Sequence, residues 1–149
     1  MTKSMNFSFK KAEDSPGFLL WQLTNQWQQL QRKALQPLGL THPQFIAMAG
    51  ILYLSSQSNT GPSQIQVAEF TRIDKMTMSD IAQTLLDKKF ITRQKHLIDK
   101  RAYALNLTKK GHDLTLKAIP LVEEIDAQFF TKETQGLSQL VAILNKRLK

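Results

Sequence analysis

The chain has 149 residues, of which 42% are hydrophobic, and 20 basic against 12 acidic side chains give it a formal net charge of +8. This size fits one domain, or one domain with an added module, which argues against a large multidomain enzyme, and the apolar content argues against a disordered chain. The absence of cysteine excludes a disulfide framework, a thiolate zinc site and cysteine-based redox sensing.

The compartment follows from two negative observations. No apolar signal-peptide segment follows Lys3, and the longest uncharged apolar run, residues 45–54, is about half of the ~20 residues that a membrane-spanning helix needs. We therefore expect a cytoplasmic protein with no membrane partner.

The positive charge is concentrated in one part of the chain. Between Arg72 and Lys110 there are ten basic and four acidic residues, a net of +6, whereas the other 110 residues supply only +2. A concentrated field indicates a surface that binds a polyanion such as nucleic acid, while scattered solvent-exposed lysines are the alternative.

Helical patterns dominate the first half of the chain. Residues 1–14 show no period and form a lead-in, after which Ser15 and Pro16 predict a helix start and apolar residues recur at helical spacing as far as Leu38. Thr41 predicts the cap of a second helix, and residues 55–61 are predicted to form a loop.

A helix-turn-helix is predicted next. Ser63 caps a short third helix, and Asp74 caps a fourth helix whose predicted inward face is Met78, Ile81 and Leu85. Two segments of strand character follow, residues 90–97 and 102–107, joined by a polar tip at residues 98–101. In the second segment Tyr103, Leu105 and Leu107 alternate with smaller or polar residues, which is typical of a half-buried hairpin strand. A hairpin in this position is a wing.

Two helices are predicted to end the chain. The fifth is capped by Thr108 and bent by Pro120, and the last follows Gly136. The fold class is therefore mainly α with a small β-hairpin wing. We predict that residues 41–108 form a winged helix-turn-helix DNA-binding domain and that residues 15–38 and 109–149 are dimerisation helices, because their surplus apolar stripes favour a homodimer. The alternative is a monomer with its ends packed on the central domain.

The wing region carries a family resemblance. Residues 99–111 follow the pattern D-x-R-x-x-x-L-x-L-T-x-x-G without a gap, residues 40–45 look like a family second-helix opening, and residues 74–79 look like a recognition-helix start. On these motifs the sequence resembles the MarR family of bacterial transcriptional regulators. The resemblance implies an obligate dimer with interleaved terminal helices, a pseudo-palindromic operator in double-stranded DNA, and release by a small effector or a chemical signal.

Candidate DNA contacts lie on the fourth helix and on the wing. Lys75 could read guanine or hold a phosphate, Gln83 could bond adenine, and Asp80 is interpreted as pairing with Lys75 or Arg72 rather than accepting from cytosine. The wing-tip Arg101 fits a minor groove, with a surface salt bridge as the alternative, and Asp99 is expected to orient Arg101 or a neighbouring base. The full set of predicted DNA-binding residues is Arg72, Lys75, Met76, Thr77, Ser79, Asp80, Gln83, Lys88, Arg93, Lys95, Asp99, Lys100 and Arg101.

An effector site is predicted with residues from the first two helices, because members of the resembled family often bind small aromatic acids between the dimer helices and the winged helix. An aromatic or amphipathic effector would meet Trp21, Trp27, Arg32, His42, Phe45 and Met48. Plain core or dimer-interface packing is the alternative for these side chains.

Enzyme and metal signatures are absent from the sequence. No phosphate loop, nucleophile elbow or catalytic histidine pattern is found, and Glu123, Glu124 and Asp126 are interpreted as a solvated face. A zinc site from His42, His112 and Asp113 is a weak alternative to the prediction of no metal and no cofactor. The sequence thus predicts a repressor, with an adaptor that binds an acidic protein, or a small-molecule-binding protein without DNA function, as rivals.

Overall fold

The computed structural model describes residues 6–99, 101–130 and 134–149. Within them the chain is mainly helical with one β-hairpin, so the predicted fold class is confirmed. A 3-10 turn at Ala12–Asp14 precedes the first helix. The main elements, in chain order, are α1 (Pro16–Leu35), α2 (His42–Ser56), α3 (Gln64–Thr71), α4 (Lys75–Asp87), β1 (Ile91–Lys95), β2 (Tyr103–Leu107), α5 (Lys109–Phe129) and α6 (Thr134–Leu148).

Five helices begin where the sequence predicts a cap. In each, the side chain of the residue before the helix accepts a hydrogen bond from a backbone N–H in the first turn, which satisfies a donor that the helix leaves free. Glutamines complete reciprocal capping boxes in α2 and α3. The capping residues are Ser15, Thr41, Ser63, Asp74 and Thr108.

Some element ends differ from the prediction. The first helix ends at Leu35. A 3-10 turn follows as far as Leu38, and this turn ends at Gly39, whose φ is 67°. Helix α2 runs on to Ser56, into the predicted loop. The prediction that the last helix follows Gly136 is wrong, because α6 begins at Thr134 and contains that glycine. A glycine is a weak signal for a helix boundary unless its backbone adopts the left-handed conformation.

The hairpin is antiparallel, with Ile91 opposite Leu107 and Lys95 opposite Tyr103. Its second strand departs from strict alternation, since Ala104 and Leu105 are both buried. The reason is a contact on the other side: Ala104 bridges to Ser63, and the Leu105 N–H donates to the Pro62 carbonyl over 2.8 Å. Pro62 and Ser63, which precede α3, therefore cover the face of β2 that the alternating sequence pattern predicts to be exposed to solvent.

The core lies between α2, α4 and the base of the hairpin, with α1 and α5 packed beside it. Helix α2 is its centre, because Ala47, Met48 and Ile51 are almost fully buried. Burial of a large apolar side chain contributes roughly 1.5–3 kcal/mol. The largest fully buried apolar side chains are Leu35, Met48, Ile51, Val67, Met78, Leu85 and Leu105.

Apolar side chains remain exposed at the two ends of the chain. Trp21 on α1 is 68% exposed, and α6 exposes Leu137, Leu140, Val141, Ile143, Leu144 and Leu148. Exposed apolar stripes of this kind are typical of surfaces that bind another protein, a membrane or a ligand. Among the described residues, no helix combines the length and the apolar character that crossing a bilayer requires.

Two basic residues adopt the left-handed conformation that glycine adopts more easily. Arg72, which ends α3, has a φ of 62°, and Lys89, in the turn between α4 and β1, has a φ of 61°. Side chains in this region cost of order 1 kcal/mol.

Relief of this strain is measurable at Lys89. We expect Lys89→Gly to raise the free energy of unfolding by about 0.5–1 kcal/mol relative to Lys89→Ala, because both variants lose the charge and only glycine loses the strain. Urea unfolding of the two variants measures the difference. Equal midpoints would contradict the assignment of strain to this turn.

Candidate nucleic-acid interface

Helix α4 presents one polar face to solvent. Met78, Ile81 and Leu85 point into the core, as the sequence predicts. Met76 is 81% exposed at the helix N-terminus. An exposed N-terminal face of the second helix of a helix-turn-helix is the surface that enters a major groove. This outward face carries Lys75, Met76, Ser79, Asp80 and Gln83, all exposed.

Two predicted DNA-contact side chains, Thr77 and Gln83, already have partners in α4 or at its N-cap. Thr77 donates its hydroxyl to the Asp74 carboxylate, and its N–H donates to the same group over 3.0 Å. The hydroxyl bond, followed by the backbone bond, lowers the pKa of Asp74. The Gln83 amide donates to Asp87 over 2.9 Å, one turn farther along. The side chains on this face that have no partner among the described residues are thus Lys75, Met76, Ser79 and Asp80.

The interpretation of Asp80 as an ion-pair partner is wrong. No ion pair within 4.0 Å joins Asp80 to Lys75 or Arg72 in the described part of the chain. Lys75 stands five positions away on the helix, outside the three- and four-residue spacing that brings side chains together. Arg72 instead donates to the Leu148 carbonyl over 2.9 Å. The Asp80 carboxylate therefore stays on the outward face of α4.

Lys88 lies at the far end of α4 from the predicted groove contact. Its ammonium donates to the Gly39 carbonyl over 3.3 Å, which ties α4 to the turn before α2. The sequence gives no signal for this contact, because the partner is a backbone group 49 residues away.

The wing displays its basic residues on exposed positions. In β1, Arg93 stacks over the Tyr103 ring at 5.2 Å, and Lys95 stands at the end of the strand. At the tip, the Asp99 carboxylate accepts from the Arg101 backbone N–H over 3.0 Å, a contact that involves the backbone of Arg101 and not its guanidinium. The Arg101 guanidinium forms no ion pair or hydrogen bond with the residues that the structure describes. Lys100 lies outside the described residues.

The six predicted effector residues do not form one pocket. His42, Phe45 and Met48 are buried in the core, which matches the alternative interpretation of these three. The Trp27 ring meets the His42 ring edge-on at 4.9 Å. Trp21 is exposed, and Arg32 lines a separate surface depression formed with Gln29, Lys33, Gln36, Gly39, Leu40 and Thr41.

Asp126 holds together a polar cluster that the sequence does not reveal. Its carboxylate accepts from Trp27 Nε1 over 2.7 Å and from Gln31 Nε2 over 2.9 Å, where α1 packs on α5. The interpretation of Asp126 as part of a solvated face is therefore wrong, although Glu123 and Glu124 are exposed. Gln31 is fully buried, and its Oε1 lacks a hydrogen-bond partner among the described residues.

Burial lowers the pKa of His42 below its usual 6.5, against the opposing effect of the nearby Asp126 carboxylate. The unfolded chain then binds the His42 proton more readily than the folded chain, so stability rises with pH. The contribution of His42 is fully present above about pH 6.5 and is lost as the pH falls from there through the lowered pKa.

We expect wild type to lose stability more steeply than His42→Gln between about pH 7.5 and about pH 5. Thermal unfolding at a series of pH values measures both slopes, and the other histidines cancel in the comparison because both proteins contain them. Parallel curves would show that His42 does not titrate differently on folding.

Metal ligands do not converge in the described residues, where no group of three His, Cys, Asp or Glu side chains could hold an ion. His112 lies 3.6 Å from the Asp113 carboxylate on α5, and His42 packs against Trp27. The weak zinc alternative therefore finds no support in the structure.

The paired helices α3 and α4, followed by a hairpin whose tip arginine is unpaired among the described residues, define a winged helix-turn-helix protein. Residues 40–103 match the model of the MarR family. The chain is 39% identical over 139 residues to the HTH-type transcriptional regulator YdcH of Bacillus subtilis (strain 168), covering 91% of this chain and 94% of that protein. The chain belongs to the MarR family and is a transcriptional regulator of the helix-turn-helix type.

Solved structures share the fold. CouR from Rhodococcus jostii RHA1, bound to p-coumaroyl-CoA, superimposes with a TM-score of 0.82 at 20% identity, covering 94% of this chain and 96% of that one. A mutant of MarR from E. coli, complexed with operator DNA, superimposes with a TM-score of 0.79 at 20% identity, covering 95% of this chain and 100% of that one.

Proposed function

We propose that the protein is a repressor that binds a pseudo-palindromic operator as a homodimer. Helix α4 enters the major groove with Lys75, Met76 and Ser79 foremost, and the Arg101 guanidinium enters the adjacent minor groove. The observation that carries this proposal is the Arg101 side chain, uncommitted among the described residues, at the tip of a wing whose backbone is tied down by Asp99. The operator complex of a structural neighbour supports it.

The proposed phosphate contacts are made by basic side chains next to α4 and Arg101. Arg93, held over Tyr103, and Lys95 face solvent along β1 and add affinity without sequence information. The concentration of positive charge between Arg72 and Lys110 supports a role for these basic residues in binding phosphates. Binding is therefore expected to weaken steeply with salt.

The proposed dimer forms through the terminal helices. The apolar side chains exposed on α1 and α6 support it, because covering them removes apolar surface from water. In such a dimer, residues 15–38 and 109–149 associate the two copies, and residues 41–108 form each DNA-binding head. The two recognition helices then meet half-sites one helical turn apart, about 34 Å.

A small aromatic or amphipathic effector is proposed to release the DNA. A structural neighbour that binds p-coumaroyl-CoA supports an effector of this kind. The cluster of Trp27, Gln31, His42 and Asp126 lies where α1, α2 and α5 meet, so a ligand that repacks it would alter the separation of the heads. The protein would act in the cytoplasm, where its operator is.

Selection from random duplex DNA tests the proposal. We expect the purified protein to enrich one palindromic sequence, with two chains per duplex measured by light scattering of the complex. Salt-sensitive binding without sequence preference would overturn the regulator proposal in favour of an adaptor with a basic face.

A further inference from the structure

His96 occupies the position where β1 gives way to the wing tip. Its backbone N–H donates to the Ala102 carbonyl over 2.9 Å, which closes the hairpin. Its imidazole Nδ1 accepts from the backbone N–H of Ile98 over 3.2 Å and from that of Asp99 over 3.1 Å. One side chain therefore satisfies two consecutive backbone donors of the tip.

Two further hydrogen bonds connect this part of the wing tip to Arg101. The Asp99 carbonyl accepts from the Ala102 N–H over 3.0 Å, and the Asp99 carboxylate accepts from the Arg101 N–H over 3.0 Å. The backbone position of Arg101 thus depends on Asp99, and the position of Asp99 depends on His96 Nδ1.

The acceptor role assigns the two ring nitrogens. Nδ1 accepts these hydrogen bonds through its lone pair, which leaves Nε2 as the nitrogen that carries the ring N–H. The ring is half-buried beside a groove that it shares with Gln66, Glu69 and Ile98. The charged residues nearest to it along the chain are Lys95 and Asp99, and Glu69 is the charged residue that α3 contributes to the groove.

We propose that His96 is a positioning residue for operator binding, which holds the wing tip in the shape that presents Arg101 to DNA. This inference rests on the proposed function. Binding a flexible tip would require its ordering on the DNA, and that ordering costs free energy at the moment of association. A tip ordered beforehand by two hydrogen bonds avoids this cost.

Two amide variants separate the acceptor from the other properties of the side chain. His96→Asn places a carbonyl oxygen on Cγ, the atom to which histidine attaches Nδ1. Asparagine side chains commonly accept from the backbone two residues ahead in this way. His96→Gln moves the carbonyl one bond farther out, so it removes the acceptor from this position while keeping an amide and zero charge.

The test measures the affinity of each variant for the selected operator duplex at one salt concentration. We expect His96→Gln to bind about five- to tenfold more weakly than wild type, the effect of losing one or two hydrogen bonds. We expect His96→Asn to bind within about twofold of wild type. Thermal unfolding of both variants checks that the heads remain folded.

A second pair of measurements tests whether His96 affects DNA binding through the Arg101 side chain. In an Arg101→Ala background, His96→Gln should cause no further loss, because the side chain that it positions is gone. An equal loss in both backgrounds, a loss in His96→Asn as large as in His96→Gln, or unchanged affinity in His96→Gln would each overturn the inference. Failure of the wild-type protein to select any duplex would instead overturn the proposed function.

Discussion

Gly111→Ala is expected to lower the free energy of unfolding by about 3 kcal/mol or more, because the new methyl group has no room. A Cβ at Gly111 would overlap the Phe90 carbonyl oxygen and would stand 2.8 Å from its carbon. Both atoms belong to the backbone, which cannot rotate away as a flexible side chain would.

The Phe90 backbone is fixed from both sides. Its N–H donates to the Leu85 carbonyl over 2.9 Å, and its carbonyl accepts from the Thr108 N–H over 3.0 Å. The Thr108 hydroxyl also donates to the Lys89 carbonyl over 2.7 Å while it caps α5. Moving Phe90 to admit a methyl group would therefore break the junction between α4, the hairpin and α5.

Urea unfolding compares this variant with Gly17→Ala, the matched control. Gly17 also lies in the first turn of a long helix, but a Cβ there meets nothing within 4 Å. We expect the control to be neutral or more stable by up to about 1 kcal/mol, because alanine favours the helix. Equal stability of the two variants would refute the close approach of α5 to Phe90.

Arg101→Ala is expected to weaken operator binding by about 1–3 kcal/mol, which is roughly five- to 150-fold in dissociation constant. The reason is that its guanidinium is exposed and, among the described residues, uncommitted at the wing tip, whereas the backbone beneath it is tied to Asp99. Fluorescence anisotropy with the selected duplex measures the loss, and light scattering checks that the proposed dimer is intact.

Arg93→Ala is the control for charge alone. Arg93 stands on the same wing, over the Tyr103 ring, and is proposed to contact phosphate. Its removal should weaken all duplexes alike and reduce the salt dependence by about one unit of slope, without relaxing specificity. If Arg101→Ala behaved in the same way as Arg93→Ala, the minor-groove role would be lost and only a charge contribution would remain.

Local signals in the sequence predict most of the fold. The five caps depend on a side chain and a backbone group three residues apart, and the inward face of α4 depends on helical spacing within one element. Both are visible in a short window of sequence. The wing is predicted for the same reason, since its strands are adjacent in the chain.

Contacts between distant segments are what the sequence hides. The Asp126 carboxylate lies 99 positions from Trp27, and its two acidic neighbours at 123 and 124 are exposed. The strand face at Ala104 is covered by the link at Ser63, another contact between distant segments. The left-handed backbone conformation of Arg72 is also not predictable from the sequence, because arginine has no preference for it.

The junction at Phe90 and Gly111 has a mechanical consequence. It fixes the first turn of α5 to the base of the wing, so in the proposed dimer a tilt of α5 would carry the wing with it. A helix of 21 residues is about 30 Å long, and a tilt of about 5° around its far end moves the near end by roughly 2.6 Å. In the proposed dimer, a displacement of that size would change which phosphates and bases the head can reach. A small tilt of α5 would therefore be enough to release the DNA in the proposed mechanism.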